Sequence, residues 1–269
     1  MDRLNTTVGI LGAGSMGGSI ARGLVASGAM EPRDVWVYDP DPACLERLGK
    51  LGIQAASSAE SLVACQTEVF VIAVKPQILA DVVRPLSEGL ANRLVVSIAA
   101  GVPIDSLESL LSASSVVRVM PNLPIQVLSG ATAVTAGTRA SASQTELVRS
   151  LFGALGSAQI MREDQLDAEG AVVSCGPAYI ALFVDALTRA GVRAGLPAAA
   201  CREMVEATMR GVAQSLLDSD EHPRAYMERV TSPGGTTAAG LYAMEPLVAQ
   251  ATYAAVDAAL ARTAELARG

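Results

Sequence analysis

The chain of 269 residues has few aromatic residues, little lysine and a single histidine. Aromatic residues make up 3% of the sequence, and Lys50 and Lys75 are the only lysines among twenty basic residues. Twenty-seven acidic residues bring the net charge to −7, so the positive surface that attracts nucleic-acid phosphate or anionic lipid is missing. We therefore expect neither nucleic acid nor a membrane as a partner. The 51% of hydrophobic residues is enough for the cores of one or two domains.

Signals of secretion, membrane insertion and metal binding are also scarce. The N-terminal residues have no apolar run long enough for a signal peptide, and prolines and glycine interrupt the longest uncharged stretch, between Arg118 and Arg139. The four cysteines form no Cys-x-x-Cys pair and no cluster with the histidine, which argues against a zinc site and a disulfide framework. We expect a soluble cytoplasmic protein with reduced thiols and no bound metal.

Short β-branched runs alternate with helical patterns up to about residue 161. Continuous apolar runs predict strands at residues 8–11, 35–38, 69–74, 94–98 and 116–120, buried on both faces as in a parallel sheet covered by helices. After about residue 165 the strand signals stop, and prolines at 177, 197 and 233 mark helix starts. The sequence predicts an α/β fold, with a Rossmann dinucleotide-binding domain at residues 1–163 and an all-α domain at residues 164–269.

A glycine-rich turn follows the first predicted strand. Residues 12–17 read Gly-Ala-Gly-Ser-Met-Gly, the G-x-G-x-x-G pattern that opens a helix and leaves a dinucleotide's diphosphate at the helix N-terminus. Gly12 allows the tight turn, Gly14 allows the backbone to approach the pyrophosphate, and Gly17 allows close packing of helix on strand. Because a strand precedes the motif and a helix follows it, we interpret it as a dinucleotide site.

Asp39 lies 22 residues after the last glycine of the motif, at the end of the second predicted strand. A carboxylate there accepts hydrogen bonds from the adenosine ribose hydroxyls and repels a 2′-phosphate. The cofactor is therefore expected to be NADH or NADPH, with NADH favoured. Asp41 adds negative charge, but its position before Pro42 favours a helix N-cap. Arg47 could also reach this region.

A second candidate cofactor segment, Ala73-Val74-Lys75-Pro76, lies at the carboxyl end of the 69–74 strand, where open α/β sheets bind ligands. We interpret Lys75 as a contact to the phosphate or ribose of the cofactor. The alternative is a solvated lysine beside a proline turn.

The second half of the chain offers little for acid–base chemistry. No lysine follows position 75, and the single histidine, His222, lies in a turn before Pro223, where a capping or surface role is favoured. Alcohol oxidation is therefore disfavoured, whereas a protonated imine needs little more than hydride and correct placement. Residues 230–237 could supply that placement, with backbone N–H groups at a helix start for a carboxylate and hydroxyls for a ring nitrogen. The alternative is an ordinary N-cap.

Together these segments resemble the pyrroline-5-carboxylate reductase family, in order and over almost the whole chain. The resembling segments are residues 12–17, 73–76, 96–101, 120–122, 176–179, 221–223 and 232–237. The last, Ser-Pro-Gly-Gly-Thr-Thr, is the most specific. The resemblance implies an N-terminal Rossmann domain and an all-α C-terminal dimerisation domain that interlocks with its twin. The implied assembly is a homo-oligomer, either a dimer or a decamer of interlocked dimers.

The resemblance also implies NAD(P)H-dependent reduction of 1-pyrroline-5-carboxylate to L-proline, the last step of proline biosynthesis. It implies a catalytic Thr237 near the ring nitrogen and nicotinamide near residues 74–76 and 99–100. The candidate substrate-binding residues are Val230, Ser232, Gly234, Gly235, Thr236 and Thr237. The candidate cofactor-binding residues are Gly12, Gly14, Ser15, Met16, Gly17, Asp39, Ala73, Val74, Lys75, Pro76, Ala99 and Ala100.

Three departures from the family pattern keep two alternatives open. Cys175 and Leu123 stand where the family usually has serine and threonine, and residues 245–248 read Glu-Pro-Leu-Val where it usually has Glu-x-Gly-Gly-Phe-Arg. The pocket or the oligomer could differ accordingly. The alternatives are a reductase of a different cyclic imine acid and a non-catalytic nucleotide-binding relative.

Overall fold

The computed structural model describes residues 3–266, and its contacts divide them into two compact units. The first unit contains residues 3–174 together with 263–266, and the second contains residues 175–262. This contact division lies after the domain boundary predicted at 163/164. The segment between the two positions belongs by its contacts to the first unit.

The first unit contains eight strands between residues 3 and 174. They are β1 Val8–Leu11, β2 Val35–Tyr38, β3 Gln54–Ala55, β4 Val69–Ile72, β5 Leu94–Ser97, β6 Ser115–Pro121, β7 Gly130–Ala136 and β8 Gly156–Ile160. They form one sheet in the order β3-β2-β1-β4-β5-β6-β7-β8. The strands from β3 to β6 in this order are parallel, β7 is antiparallel to β6, and β8 is parallel to β7. The carboxyl ends of the parallel strands therefore meet at one edge, where doubly wound sheets bind ligands.

Helices cover both faces of this sheet. They are α1 Ser15–Ala26, α2 Pro42–Gly49, α3 Ala59–Ala64, α4 Pro76–Val83, α5 Ile104–Leu110, α6 Ala142–Gly153 and α7 Leu166–Glu169. On one face Ile20 and Leu24 of α1 pack into a buried cluster, and on the other Leu62 of α3 and Leu107 of α5 do the same. Every residue of β1 and β4 is buried between these layers. The predicted Rossmann architecture is thus confirmed.

The five predicted strands are present, although β4 and β5 end before the predicted residues 74 and 98. Strands β3, β7 and β8 were not predicted. The sequence of β7 is Gly-Ala-Thr-Ala-Val-Thr-Ala and that of β8 is Gly-Ser-Ala-Gln-Ile, so neither has the apolar run that marks a buried strand. Backbone pairing of β7 with both β6 and β8 makes these residues strands. Tertiary context often overrides propensity in this way.

The second unit is helical throughout its described residues. Its helices are α8 Gly176–Arg193, α9 Ala198–Ser219, α10 Pro223–Arg229 and α11 Thr236–Leu266, of which the last continues beyond the unit. Pro177 lies in the first turn of α8, and Pro197 directly precedes α9, as predicted. His222 caps α10, because its Nδ1 accepts a hydrogen bond of 3.2 Å from the Arg224 N–H. The all-α prediction and the capping role of His222 are confirmed.

These helices expose many large apolar side chains. Leu182 of α8 is 63% exposed, Leu217 of α9 is 79% exposed, and Tyr242 of α11 is 88% exposed. Apolar patches of this kind mark interaction surfaces. Within residues 3–266, the helical stretch Glu163–Arg193 has the length and apolar composition of a membrane-crossing helix, which is weak evidence because helices of soluble proteins meet the same criteria.

Candidate active site

The glycine-rich turn between β1 and α1 is closed on its protein side and open at its centre. Gly12 has φ +101°, and a Cβ there would lie 2.7 Å from the carbonyl oxygen of Ala73. A Cβ on Gly17 would collide with the carbonyl oxygen of Gly12. By contrast, no heavy atom lies within 4 Å of the Cβ position of Gly14. Of the three glycines of the motif, Gly14 is therefore the one whose backbone a ligand can approach, as the motif requires.

The N-terminus of α1 is available to an anion. Gly14 is its N-cap residue, and no side chain caps it. The first N–H groups of a helix have no partner within the helix, and they attract phosphate. Ser15 is exposed, whereas Met16 packs partly against the hydrophobic core, so Met16 offers its backbone rather than its side chain. These observations fit the diphosphate of a dinucleotide.

Asp39, at the end of β2, reaches the glycine-rich turn. Its Oδ2 accepts a hydrogen bond of 2.7 Å from the Ala13 N–H, and its Oδ1 accepts one of 2.9 Å from the Asp41 N–H. The half-buried carboxylate keeps further lone pairs for ribose hydroxyls. Asp41 accepts from the Ala43 N–H at 3.0 Å, so the predicted capping role of Asp41 is confirmed.

A cavity of about 340 Å³ lies beside the turn and contains two arginines. Its lining residues are Ala13, Gly14, Ser15, Gly18, Arg22, Arg47, Leu48 and Gln126. Among the ion pairs of residues 3–266, none joins Arg22 or Arg47 to a carboxylate. Their charge can therefore attract an anionic ligand. Sequence analysis missed Arg22, although the spacing of four residues from Gly14 to Gly18 to Arg22 puts all three on one face of α1.

The ends of β4 and β5 lie at the same edge as the turn. The Ala73 N–H donates to the Leu11 carbonyl oxygen at 2.8 Å, and the Ile98 N–H donates to the Ile72 carbonyl oxygen at 3.1 Å. Residues 73–76 and 99–100 therefore follow neighbouring strands, and residue 73 touches the glycine-rich turn. Lys75 is exposed at the N-cap of α4, with no side-chain capping bond.

The predicted substrate segment precedes α11 in the second unit. The Gly235 N–H donates to the Ser232 carbonyl oxygen at 3.0 Å, and Gly234 has φ +71°. This turn exposes Ser232, Thr236 and Thr237. None of their hydroxyls donates to another group in the part of the chain that the structure describes. The first N–H groups of α11 likewise have no helical partner.

The two predicted residue groups thus lie in different units. The cofactor candidates are brought together at one edge of the sheet of the first unit, and the substrate candidates form one turn of the second. Val230, the residue after α10, is 48% exposed and belongs to the second group. Within residues 3–266, no three His, Cys, Asp or Glu side chains are grouped so as to hold a metal ion.

The three departures from the family pattern have distinct surroundings. Cys175 is exposed at the N-cap of α8, and Leu123 is 51% exposed in a short 3-10 helix. Glu245 forms an ion pair with Arg224, which joins α11 to α10. Helix α11 continues through Pro246, so residues 245–248 are helical.

Two family models match the chain. The pyrroline-5-carboxylate reductase dimerisation model matches residues 163–266, and the model described as NADP oxidoreductase, coenzyme F420-dependent, matches residues 7–101. The pyrroline-5-carboxylate reductase of Synechocystis sp. is 35% identical over 266 residues, which are 98% of this chain and 100% of that protein. This chain belongs to the pyrroline-5-carboxylate reductase family. The Escherichia coli enzyme is 36% identical over 88% of this chain and 89% of its own.

Solved structures of this reductase family have the same fold. The Coxiella burnetii reductase has a TM-score of 0.92 and 31% identity, covering 98% of this chain and 99% of its own. The Plasmodium falciparum reductase, solved with NADP bound, has a TM-score of 0.84 and 28% identity, covering 97% of this chain and 98% of its own. This chain is therefore an oxidoreductase with a Rossmann domain for a pyridine nucleotide and a domain for homo-oligomerisation.

Proposed function

We propose that the protein reduces 1-pyrroline-5-carboxylate to L-proline with NADH. The observation that carries this proposal is the exposed turn at the start of α11, where the N–H groups of Gly234 and Thr236 and two threonine hydroxyls have no partner among the described residues. That turn lies in the region that matches the reductase dimerisation model. A carboxylate and a ring nitrogen are the groups that such a turn can bind.

Each polar group of the turn has a part in the proposed chemistry. The N–H groups of Gly234 and Thr236 hold the substrate carboxylate. Gly235 shapes the turn through its hydrogen bond to Ser232, and Val230 and Ser232 line the same turn. The hydroxyl of Thr237 donates to the ring nitrogen and orients the imine. A bound dihydronicotinamide would supply the hydride to the imine carbon, and water, through the Thr237 hydroxyl bonded to the neutral imine nitrogen, would supply the proton that the nitrogen gains. No lysine or histidine base is required.

The cofactor residues are proposed on the geometry of the first unit. Residues Gly12, Gly14, Ser15, Met16 and Gly17 hold the diphosphate through the open side of their turn. The ends of β4 and β5 hold the nicotinamide side of the cofactor. The residues at those ends are Ala73, Val74, Lys75, Pro76, Ala99 and Ala100. We take the functional boundary between the domains to be 163/164.

Asp39 and the arginine-lined cavity beside the glycine-rich turn favour different adenosine ends of the cofactor. The Asp39 carboxylate faces the ribose position and disfavours a 2′-phosphate, which supports NADH. Arg22 and Arg47 line the cavity beside it and would attract an additional phosphate. Because Asp39 contacts the turn directly, we give it more weight, and we propose NADH as the preferred cofactor and NADPH as a weaker one.

The proposed assembly is a homodimer through the helices of the second unit, in the cytoplasm. The exposed apolar side chains of α8, α9 and α11 support this, because a second copy would bury them. A decamer of interlocked dimers is the larger alternative. Light scattering after gel filtration would distinguish the two masses.

Turnover of 1-pyrroline-5-carboxylate by the purified protein tests the proposal. We expect NADH oxidation with the formation of an equal amount of proline. The departure from the family pattern at residues 245–248 is the basis of a second candidate, a reductase of a different cyclic imine acid. Turnover of a six-membered cyclic imine acid but not of pyrroline-5-carboxylate would support that candidate. Cofactor binding without turnover of either ring would indicate a non-catalytic relative.

A further inference from the structure

Glu169, the last residue of α7, has a buried carboxyl group that the proposed chemistry does not use. It is 7% exposed. Its Oε2 accepts a hydrogen bond of 3.2 Å from the Ser174 hydroxyl, while its Oε1 is buried and has no hydrogen-bond partner among the described residues. A buried carboxylate with so few donors is unfavourable, so the site favours the neutral acid.

Glu169 belongs to a segment that follows one face of β6, residues 163–174, which we call the β6 strap. Two side chains of β6 and that of the residue after it alternate along the chain, therefore share a face, and lie against this strap. Glu163 Oε1 lies 3.1 Å from Arg118 Nη1, and the Val173 carbonyl oxygen accepts a hydrogen bond of 3.2 Å from Asn122 Nδ2. Between them, a Cβ on Gly170 would lie 3.3 Å from the Met120 sulfur, which leaves room there only for glycine or a small shift. The strap thus runs towards the carboxyl end of β6, the edge of the sheet at which the cofactor candidates lie.

The strap ends in a π-helical turn, Gly170–Ser174, between Glu169 and the second unit. Such turns are rare, and they are frequent at functional sites. Glu169 and Ser174 lie at the two ends of the turn, and their hydrogen bond closes it. The Asn122 amide also connects the turn to β7, because its Oδ1 accepts from the Ala131 N–H at 2.9 Å.

The charged groups of the elements that pack against Glu169 have other partners or face solvent. Arg118 of β6 pairs with Glu163, although its own Nε is buried and unpartnered within the described residues. Asp164 pairs with Arg162, and Asp167 of α7 is exposed. Within the part of the chain that the structure describes, none of these charged groups forms a hydrogen bond with Glu169.

Ionisation of Glu169 falls near neutral pH. Burial raises the pKa of Glu169 to about 6, and the hydrogen bond from Ser174 opposes this with a smaller effect. Above that pH the carboxylate would be buried with the Ser174 hydroxyl as its one hydrogen-bond partner, so its transfer to water would be favourable. Reaching water requires the π-helical turn to open.

We propose that Glu169 is a positioning residue for the reduction: its neutral carboxyl group holds the π-helical turn closed against β6, and its ionisation releases the turn. This inference rests on the proposed function. The turn connects the unit with the cofactor candidates to Cys175, the first residue of the unit with the substrate candidates. Within the first unit the turn packs on the carboxyl end of β6, the edge of the sheet at which the cofactor candidates lie, so its conformation affects the placement of the nicotinamide.

The test is the pH dependence of turnover in the full-length protein and in Glu169→Gln, which is neutral at every pH. Both proteins would be assayed with saturating NADH and 1-pyrroline-5-carboxylate from pH 5.5 to 8.5. The ratio of wild-type to variant kcat cancels the titration of the imine substrate. We expect this ratio to fall by about fivefold or more across the range, with an unchanged ratio of NADH KM values.

Two further variants make the result specific. Ser174→Ala removes the hydrogen bond that favours the ionised form, so the fall in its own kcat should shift to higher pH. Asp167→Asn removes an exposed carboxylate from the same helix, and its ratio to wild type should stay constant with pH. If Glu169→Gln fails to fold, the Ser174→Ala shift still tests the role.

Two results would overturn the inference in different ways. A ratio of wild-type to Glu169→Gln kcat that stays constant from pH 5.5 to 8.5, with proline formed by both proteins, would remove Glu169 from the reaction and leave the proposed function intact. Absence of pyrroline-5-carboxylate turnover in every protein, with NADH still bound, would overturn the proposed function and this role with it.

Discussion

The Asp39 carboxylate accepts a hydrogen bond of 2.7 Å from the backbone N–H of Ala13. This contact joins the end of β2 to the glycine-rich turn, so the carboxylate that we propose for the cofactor ribose also holds the turn. A substitution at Asp39 must therefore separate its charge from its role as an acceptor.

Asp39→Asn removes the negative charge and keeps the acceptor for Ala13, because its amide oxygen can still accept from the Ala13 N–H; only the Asp41 N–H loses its acceptor. We expect the ratio of kcat/KM for NADH to that for NADPH to fall about tenfold or more, since the repulsion of a 2′-phosphate disappears. Steady-state kinetics with each cofactor measure this ratio. Asp41→Asn, an N-cap variant on the next turn, should leave it unchanged. An unaltered ratio in Asp39→Asn would exclude Asp39 from cofactor selection.

Arg22 and Arg47 are expected to bind phosphate groups of the cofactor. Replacing either by alanine should raise the cofactor KM by roughly threefold to tenfold, and more for NADPH than for NADH, because charge-assisted hydrogen bonds to phosphate are lost. Arg84→Ala is the matched control, since Arg84 is exposed and lies outside the cavity. Equal KM values in the Arg22, Arg47 and Arg84 variants would contradict this assignment.

Gly14 and Gly17 should respond differently to alanine. A Cβ on Gly17 collides with the Gly12 carbonyl oxygen, so Gly17→Ala should lower the free energy of unfolding by about 2 kcal/mol or more. A Cβ on Gly14 meets no protein atom, so Gly14→Ala should keep its stability but raise the cofactor KM. Urea unfolding and NADH titration measure the two effects. A stable Gly17→Ala protein would show that α1 can move away from β1.

Thr237→Ala should reduce kcat by about tenfold to a hundredfold and change the NADH dissociation constant little, because it removes a donor to the ring nitrogen. Thr252→Ala is the control on the same helix, where the hydroxyl donates at 2.9 Å to the Val248 carbonyl oxygen. Turnover and fluorescence titration of NADH give the two quantities. Equal losses of turnover and of NADH affinity would place Thr237 outside the substrate site.

Glu169 should make the stability of the protein depend on pH. Its folded-state pKa of about 6 lies above the usual 4.5, so the folded state binds the proton more tightly and stability falls as pH rises through this interval. The full effect is about 2 kcal/mol, of which about 1 kcal/mol falls between pH 5.5 and 8. In Glu169→Gln the side chain does not ionise, so this fall in stability with rising pH should be absent.

The measurement is urea unfolding of both proteins at pH 5.5 and pH 8, at one protein concentration because assembly contributes to stability. The advantage of Glu169→Gln over wild type should be larger at pH 8 by about 1 kcal/mol. A difference that is the same at both pH values would mean that Glu169 reaches solvent in the folded protein.

The parts of the fold that were predictable are those coded by neighbouring residues. Strands β1 and β4 are unbroken apolar runs, and Pro177 and Pro197 mark the beginnings of α8 and α9. Strands β7 and β8 carry no such signal, because their small and polar residues become strands through pairing with distant residues. The glycine-rich turn was predictable for the same reason as β1: its shape depends on six consecutive residues.

Side chains that act through distant contacts were not predictable. Arg22 has the character of an ordinary exposed helical residue until the cavity beside Gly14 is known. Glu169 lies in an acidic segment that reads as solvated, whereas the structure buries it in the β6 strap.

The sequence by itself determined the Rossmann architecture, the helical second half, the glycine-rich turn and the membership of the reductase family, because local periodicity and short motifs carry that information. Only the tertiary structure decided that Asp39 holds the Ala13 N–H, that two arginines share one cavity, and that a carboxyl group is buried at the end of α7. These three features depend on burial and on contacts between residues that are far apart in the chain. Such contacts determine which groups are hydrogen-bonded or charged, but they leave no pattern in the local sequence.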